Sequence, residues 1–343
     1  MANVTTTGSV ASQFQAFFSK SLLERQIPLL QMEQFAQKVP YPTKTGGNKT
    51  VRFFRFDNPS IASIISLSEG TSPTAGTGER QLTLSTVEAT LEQFGSSIVL
   101  TDVLLATELF NHLAQATKQL GEDAALHADT LSHRALVLNT TASTTAGTTV
   151  SAAAYSRFAQ NGTNGTNFQA ASTANAAMTA LDLLDAATAL KVNRAPKIKD
   201  GYVLVAPPQV TRDLMNDDDF LRVSSYSTPE AIYKGEVGRL FGVSVIETTN
   251  NLTAGTAAGG VNTEATGSNF ASIVLGGQAF GVPHMTAVAA TGSPYAPKVT
   301  ILDAPDKSDI YGQRTIASFK TFYTAKQLNP AFYRVVWSKS NFA

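Results

Sequence analysis

Only 15% of the 343 residues are charged, against about 25% in ordinary soluble proteins, and Thr, Ser, Ala, Gly and Asn take their place. That suits a surface covered by neighbours, because interface cores are depleted in Lys, Glu and Asp. Lys plus Arg balances Asp plus Glu at 26 each and cysteine is absent, which argues against a dedicated nucleic-acid binder and excludes disulfides, thiolate metal sites and cysteine nucleophiles.

No apolar run approaches the roughly 18 residues needed to cross a bilayer, and Met1–Val10 lacks the basic and apolar regions of a secretory signal. A soluble protein made in the cytosol is expected. The first fifty residues read as an extended arm with one helical piece. Phe14, Phe17, Phe18, Leu22 and Leu23 recur at helix-like spacing, Pro28 interrupts them, and Pro40, Pro42, Gly46 and Gly47 end the pattern. Residues 50 to 100 read as β structure: the aromatic-rich Thr50–Phe56, then Leu82, Leu84, Val87, Ala89 and Leu91, whose alternation slips phase near Ser85 as a bulge or turn would require. Asp57–Arg80 lies between, and its half Ser68–Gly78 is too polar and glycine-rich to bury a core. A two-stranded ribbon with a mobile tip is the expectation.

Thr101–Asn139 reads as one helix, capped by Thr101 and striped by Ala106, Leu109, Leu113, Ala116, Leu120, Ala124, Ala128, Leu131, Ala135 and Leu138. Its length would be roughly 55 Å, that of a structural spine. Gly121 inside it points to a bend or a close contact. Thr140–Thr173 is low in complexity and reads as a surface insertion. A helix over Ala174–Val192, a strand Tyr202–Ala206, a proline-initiated helix Pro207–Asn216 and a strand Gly242–Thr248 follow. A Gly/Thr/Asn loop, Asn250–Asn269, then leads into the apolar Ala271–Val282. This alternation predicts a mixed α/β unit. Arg314–Lys339 reads as two strands turning at Asn329-Pro330, the second carrying Phe332, Tyr333, Val335, Val336 and Trp337 and completing a sheet near the spine helix.

Catalytic patterns are missing. His127 and His133 are six residues apart, about 120° around a helix, so they cannot form the i, i+4 pair of a zinc helix, and a partly exposed structural role is expected. Asp217-Asp218-Asp219 reads as a solvated turn rather than a cation loop. The glycine-rich stretches lack the Lys-Ser/Thr of a phosphate loop, and no Gly-x-Ser-x-Gly elbow occurs. No catalytic residue, cofactor or metal is expected, and no membrane partner. Arg52 and Arg55 could contact nucleic acid or an acidic partner, but edge-strand charges or intersubunit ion pairs fit a chain with no basic excess better.

The order of arm, ribbon, long helix, central α/β unit and final β return resembles the tailed-phage major capsid fold of the Hong Kong-97 type. Ile27-Pro-Leu-Leu, Lys49-Thr-Val-Arg-Phe, Ser68-Glu-Gly-Thr-Ser-Pro, Leu91-Glu-Gln-Phe-Gly, Val203-Leu-Val-Ala-Pro-Pro, Gly235-Glu-Val-Gly-Arg-Leu-Phe-Gly-Val and Leu275-Gly-Gly-Gln-Ala-Phe-Gly resemble the major capsid family named after phage N-four. The resemblance implies an α+β fold divided into an N-terminal arm (1–49), an extended β-hairpin loop (50–100), a spine helix of the peripheral domain (101–140), a surface insertion (141–173), an axial α/β domain (174–304) and C-terminal strands returning to the peripheral domain (305–343).

It implies a non-enzymatic subunit that forms hexamers and pentamers with itself, with scaffold, portal and decoration proteins as partners and double-stranded DNA enclosed through weak non-specific contacts. The setting would be the virion, assembled in the host cytoplasm. Arg52, Arg55, Glu69 and Arg80 are its candidate intersubunit contacts. An encapsulin-like nanocompartment shares the fold, and a Thr/Asn-rich surface adhesin is the rival from another class. Some relatives of this fold join their loops covalently through Lys and Asn. This chain has no lysine between Lys49 and Lys118, which predicts a non-covalent shell.

Overall fold

The computed structural model of the chain describes residues 31–40, 49–56, 66, 69–70, 84–107, 111–137, 143–145, 148–150, 156–158, 176–217, 238–250, 253–254, 269–283, 298–302, 310–340 and 342. The arm ahead of residue 31, most of Asp57–Arg80 and most of the two low-complexity insertions lie outside the described residues.

A 3-10 turn, Met32–Phe35, leads into strand β1 (Gln37–Val39). Strands β2 (Thr50–Phe56) and β3 (Leu84–Thr90) pair antiparallel in unbroken register, from Thr50 opposite Thr90 to Phe56 opposite Leu84. The bulge expected near Ser85 is therefore absent. The hydroxyl of Ser85 faces inward in phase with Val87, Ala89 and Leu91, and Leu84 faces out, because the pairing holds a strict period of two. Strand β4 (Glu92–Thr101) leaves the ribbon for another sheet.

The expected continuous helix over Thr101–Asn139 is instead two helices, Asp102–Thr107 and His112–Val137. Each start has its own cap: Leu104 N–H donates to Thr101 Oγ at 3.3 Å, and Ala114 N–H donates to Asn111 Oδ1 at 3.0 Å. An asparagine that satisfies an orphan helix donor makes residue 111 a natural restart. The second helix, at 26 residues, is about 39 Å long, and Gly121 is buried within it without interrupting it.

Strands β5 (Ser143–Thr145) and β6 (Thr148–Val150) pair with each other, and β7 (Ser156–Phe158) joins a larger sheet. The insertion thus contributes an edge strand. The next helix is Ala180–Val192, starting later than Ala174 because Asp182 accepts hydrogen bonds from Thr179 N (3.0 Å) and Thr179 Oγ (2.9 Å), a local lock that fixes the first turn there.

Strand β8 (Tyr202–Ala206), helix Pro208–Met215, strand β9 (Arg239–Leu240) and strand β10 (Val243–Glu247) follow, then β11 (Thr253–Ala254), β12 (Asn269–Leu275), β13 (Phe280–Pro283), β14 (Lys298–Leu302), β15 (Arg314–Tyr323), β16 (Lys326–Gln327) and β17 (Tyr333–Lys339). The apolar stretch Ala271–Val282 is two strands, not one, turning over residues 276–279.

The large mixed sheet runs β7-β17-β12-β8-β10-β9, with β11 beside β12. Strand β8 is parallel to β10 and antiparallel to β12, and all five of its residues are buried, as expected of a strand covered on both faces. The two C-terminal strands do not pair with each other. β15 lies between β14 and β4, β17 lies between β12 and β7, and between them the chain passes through β16, which pairs with β13, before the turn at Asn329-Pro330 leads into β17.

The long helix bridges both sheets. Leu120 and Ala124 pack on Val299, Ala317 and Phe319 of the β14-β15-β4 sheet, and Ala125, Ala128, Leu136 and Val137 join the main core with Leu204, Ile273, Tyr333 and Trp337. Its buried stripe therefore rotates along its length. Tyr333 reaches the helix directly, its hydroxyl donating to Leu136 C=O at 3.1 Å. No helix among the described residues is long and apolar enough to cross a membrane.

Candidate subunit-contact surfaces

The ribbon has two unlike faces. Inward, Val51, Phe53, Ala89 and Leu91 form a small cluster with Leu328, flanked by Val39, Val87 and Phe322. The Phe53 ring lies directly on Gly281 of β13, where an added Cβ would sit 2.6 Å from Phe53 Cδ1. Only glycine allows this approach, so the ribbon base is keyed to the body by one ring on one backbone position. Outward, Arg52 Nε meets Glu88 at 2.7 Å across the strands with both side chains about half exposed, a pair worth roughly 0–1 kcal/mol. Beyond that pair Phe54 is 57% exposed and Leu84 is 49% exposed. The outer face is therefore apolar where the ribbon leaves the body.

The four candidate contact residues are not brought together. Arg52 is engaged by Glu88 within its own ribbon. The backbone of Arg55 is opposite Ser85 in β2, and its side chain lies outside the described residues. Glu69 is an exposed turn residue, and Arg80 lies outside the described residues. The sequence reading did not single out Phe54 and Leu84, the exposed apolar residues of this face. The signal was available, since both sit out of phase with the buried positions of their strands.

A second surface is where the segment from Gln31 onward docks on the long helix. Asp129, buried in that helix, accepts the Met32 N–H at 2.8 Å, and the Gln31 backbone and the Asn250 side chain lie near enough to its carboxyl to favour the charged form. Asn250 is itself held, donating to Leu126 C=O at 3.0 Å and accepting from Thr130 Oγ at 3.0 Å. Burial pushes the Asp129 carboxyl up to about 6 against the pull of these donors, with adjacent Glu33 adding to the rise. Glu33 is raised by its own burial, opposed by Lys38 at 3.6 Å.

One turn on, His133 is wholly buried rather than partly exposed, neither ring nitrogen has a partner, and burial lowers its pKa to about 4. His127 packs edge-on against Phe94 at 4.4 Å between centroids and is lowered by burial and by Arg134. Among the described residues no three of His, Cys, Asp and Glu converge on a metal geometry. Of the acidic run, Asp217 Oδ2 accepts the Ala180 N–H at 2.6 Å, which makes it a cap for the neighbouring helix. Asp218 and Asp219 lie outside the described residues, as does His284.

A keyed ribbon, a long helix between two sheets and a docked N-terminal segment define a Hong Kong-97-type capsid fold. The chain superposes on the capsid of cyanophage P-SCSP1u with a TM-score of 0.60 at 16% identity, covering 89% of this chain and 87% of that one. For the capsid of Ralstonia phage GP4 the values are 0.60, 13%, 90% and 87%. The SrpI encapsulin complex of Synechococcus elongatus is a more distant neighbour, at 0.52 and 9% identity. No curated protein matches the sequence. The profile of a family described as Phage capsid protein matches residues 84–300. The chain belongs to that phage capsid protein family, and its role is that of a major capsid protein, a structural component of the virion.

Proposed function

We propose that this subunit closes an icosahedral head by forming hexamers and pentamers with itself, that it encloses double-stranded DNA, and that it has no catalytic role. Each copy uses the arm (1–49), the extended loop (50–100) and the axial unit (174–304) on different neighbours, with residues 101–140 as the spine and 305–343 returning to the peripheral domain. Many weak heterologous contacts then sum to a closed shell. Scaffold, portal and decoration proteins complete the partners, and assembly takes place in the host cytoplasm.

The observation that carries this reading is the ribbon, whose base is keyed to the body while exposed Phe54 and Leu84 occupy its free face. Apolar side chains left outward on a projecting element find their cover on another copy. Expressed with a scaffold and separated by size, the chain should form closed shells or rings of five and six in electron micrographs. Phe54→Ser with Leu84→Ser should cut particle yield at least tenfold while the unassembled chain keeps its circular dichroism. Wild-type chain that stays monomeric with scaffold present would overturn the proposal.

The shell is held without covalent links between loops, because no lysine lies between Lys49 and Lys118 to supply one. Denaturing gels of mature particles should show a single band at 36.3 kDa, and a ladder of its multiples would refute this.

A further inference from the structure

Charge is balanced over the whole chain but not at the end of the large sheet where β8 and β10 begin. The connection 191–201 carries Lys191, Arg194, Lys197 and Lys199 against one carboxylate, Asp200, and Arg239 of β9 stands beside it, against Gly201. All five cations are exposed, and none belongs to the ion pairs of the described residues.

The support beneath them is cross-braced. Gly277 N–H donates to Pro196 C=O at 2.7 Å, Tyr202 N–H to Gly242 C=O at 3.1 Å, and Ile198 and Gly201 exchange backbone hydrogen bonds at 2.7 and 3.2 Å. A Cβ on Gly201 would overlap the Gly242 carbonyl, so the connection and the turn at 241–242 are in direct contact. The four non-glycine residues with left-handed backbone among the described residues all lie on this platform: Arg194 (φ 54°), Lys199 (φ 55°), Phe241 (φ 52°) and Gln278 (φ 60°). L side chains resist that conformation, and it persists where surrounding structure holds it, characteristically at functional surfaces.

We propose that this platform is the surface the shell turns toward packaged double-stranded DNA, with Lys191, Arg194, Lys197, Lys199 and Arg239 meeting backbone phosphates. It rests on the capsid reading above and adds which part of the subunit faces inward. Phosphate contact asks for clustered, unpaired charge without base-reading geometry. Three of the five cations are lysines, compact point charges that meet a phosphate without a fixed geometry, and the forks of the two arginines fit phosphate oxygens bidentately. Exposed Phe241 and Gln278 add a ring and an amide beside the charges.

The test is the binding of unassembled full-length chain to a mixed-sequence DNA duplex of about 25 base pairs across a salt series. Five phosphate contacts predict a slope of log K on log salt near about −4.5, and Arg194→Gln/Lys197→Gln/Lys199→Gln should bring it toward zero by about 2.7. Lys298→Gln/Lys320→Gln, exposed cations of the other sheet, should leave it unchanged. If circular dichroism shows the triple variant unfolded, Lys197→Gln alone should still move the slope by about 0.9.

No wild-type binding at low salt, or an unchanged slope in the variants, would overturn the assignment. A triple variant that binds DNA like wild type yet fails to form particles would also overturn it, in favour of an acidic protein surface. Failure of the capsid reading registers separately, as wild-type chain that never self-associates.

Discussion

Phe53→Ala should destabilise the unassembled chain by about 3–5 kcal/mol, as removal of a buried aromatic ring does. Gly281→Val should cost about 1–3 kcal/mol by overpacking the same contact from the other side. Phe53 is 2% exposed and packs with Val51, Ala89, Leu91 and Leu328, flanked by Val39, Val87 and Phe322, and a close-packed site of this kind collapses only partly when a ring is removed. Because one ring meets one glycine, the two sites must couple. Phe53→Leu with Gly281→Ala should cost less than the sum of the single changes, by at least about 0.5 kcal/mol. Denaturant midpoints for the four chains measure this, and strict additivity would show that the ring is not what keys the ribbon to β13. Proteolysis within 50–90 should accelerate in Phe53→Ala before global unfolding, since the ribbon has no other anchoring cluster among the described residues.

What the sequence made legible was whatever local spacing decides. Strand β8, the helix after Pro207, β10 and the stripe Ala116, Leu120, Ala124 and Ala128 all fall where short apolar runs, an initiating proline or the helical repeat put them. Elements that failed did so for identifiable reasons. The helix restart at Asn111 hung on a cap whose strength spacing does not register. Strands β15 and β17 look like a hairpin locally, yet each meets its partners from distant parts of the chain. His133 read as a partly exposed helix position and Asp129 carried no signal, because their burial comes from the Met32 segment and the main core, which no local window contains.

The contact surfaces were legible in part. The outward phase of Arg52 was readable, its partner Glu88 followed only from strand register, and the Phe53–Gly281 contact needed the tertiary fold. The cations of 191–199 were visible in sequence. Their convergence with Arg239 was not, since that depends on β9 reaching the same sheet end.

Asp129 and His133 should oppose each other in acid. The folded pKa of Asp129, about 6, lies above its ordinary 3.8. Its contribution to stability is therefore fully present below about pH 4 and lost as pH rises through 6. The folded pKa of His133, about 4, lies below its ordinary 6.5, so its contribution is present above pH 6.5 and lost as pH falls through 4. Each shift corresponds to about 3 kcal/mol at its limit, and between pH 4 and 6 the two slopes run in opposite directions.

Wild-type stability should therefore change little across that window. Asp129→Asn keeps an oxygen for the Met32 N–H and removes the charge, which leaves His133 unopposed, so stability should fall by about 2–3 kcal/mol from pH 7 to pH 4.5. His133→Phe leaves Asp129 unopposed and should gain stability over the same interval. Glu33, raised by burial, adds to the Asp129 side, and Lys38 limits its share. Denaturant midpoints of the unassembled chains at the two pH values decide the matter. Two variants with the same pH slope as wild type would mean that neither group is buried away from solvent when the chain is in its native fold.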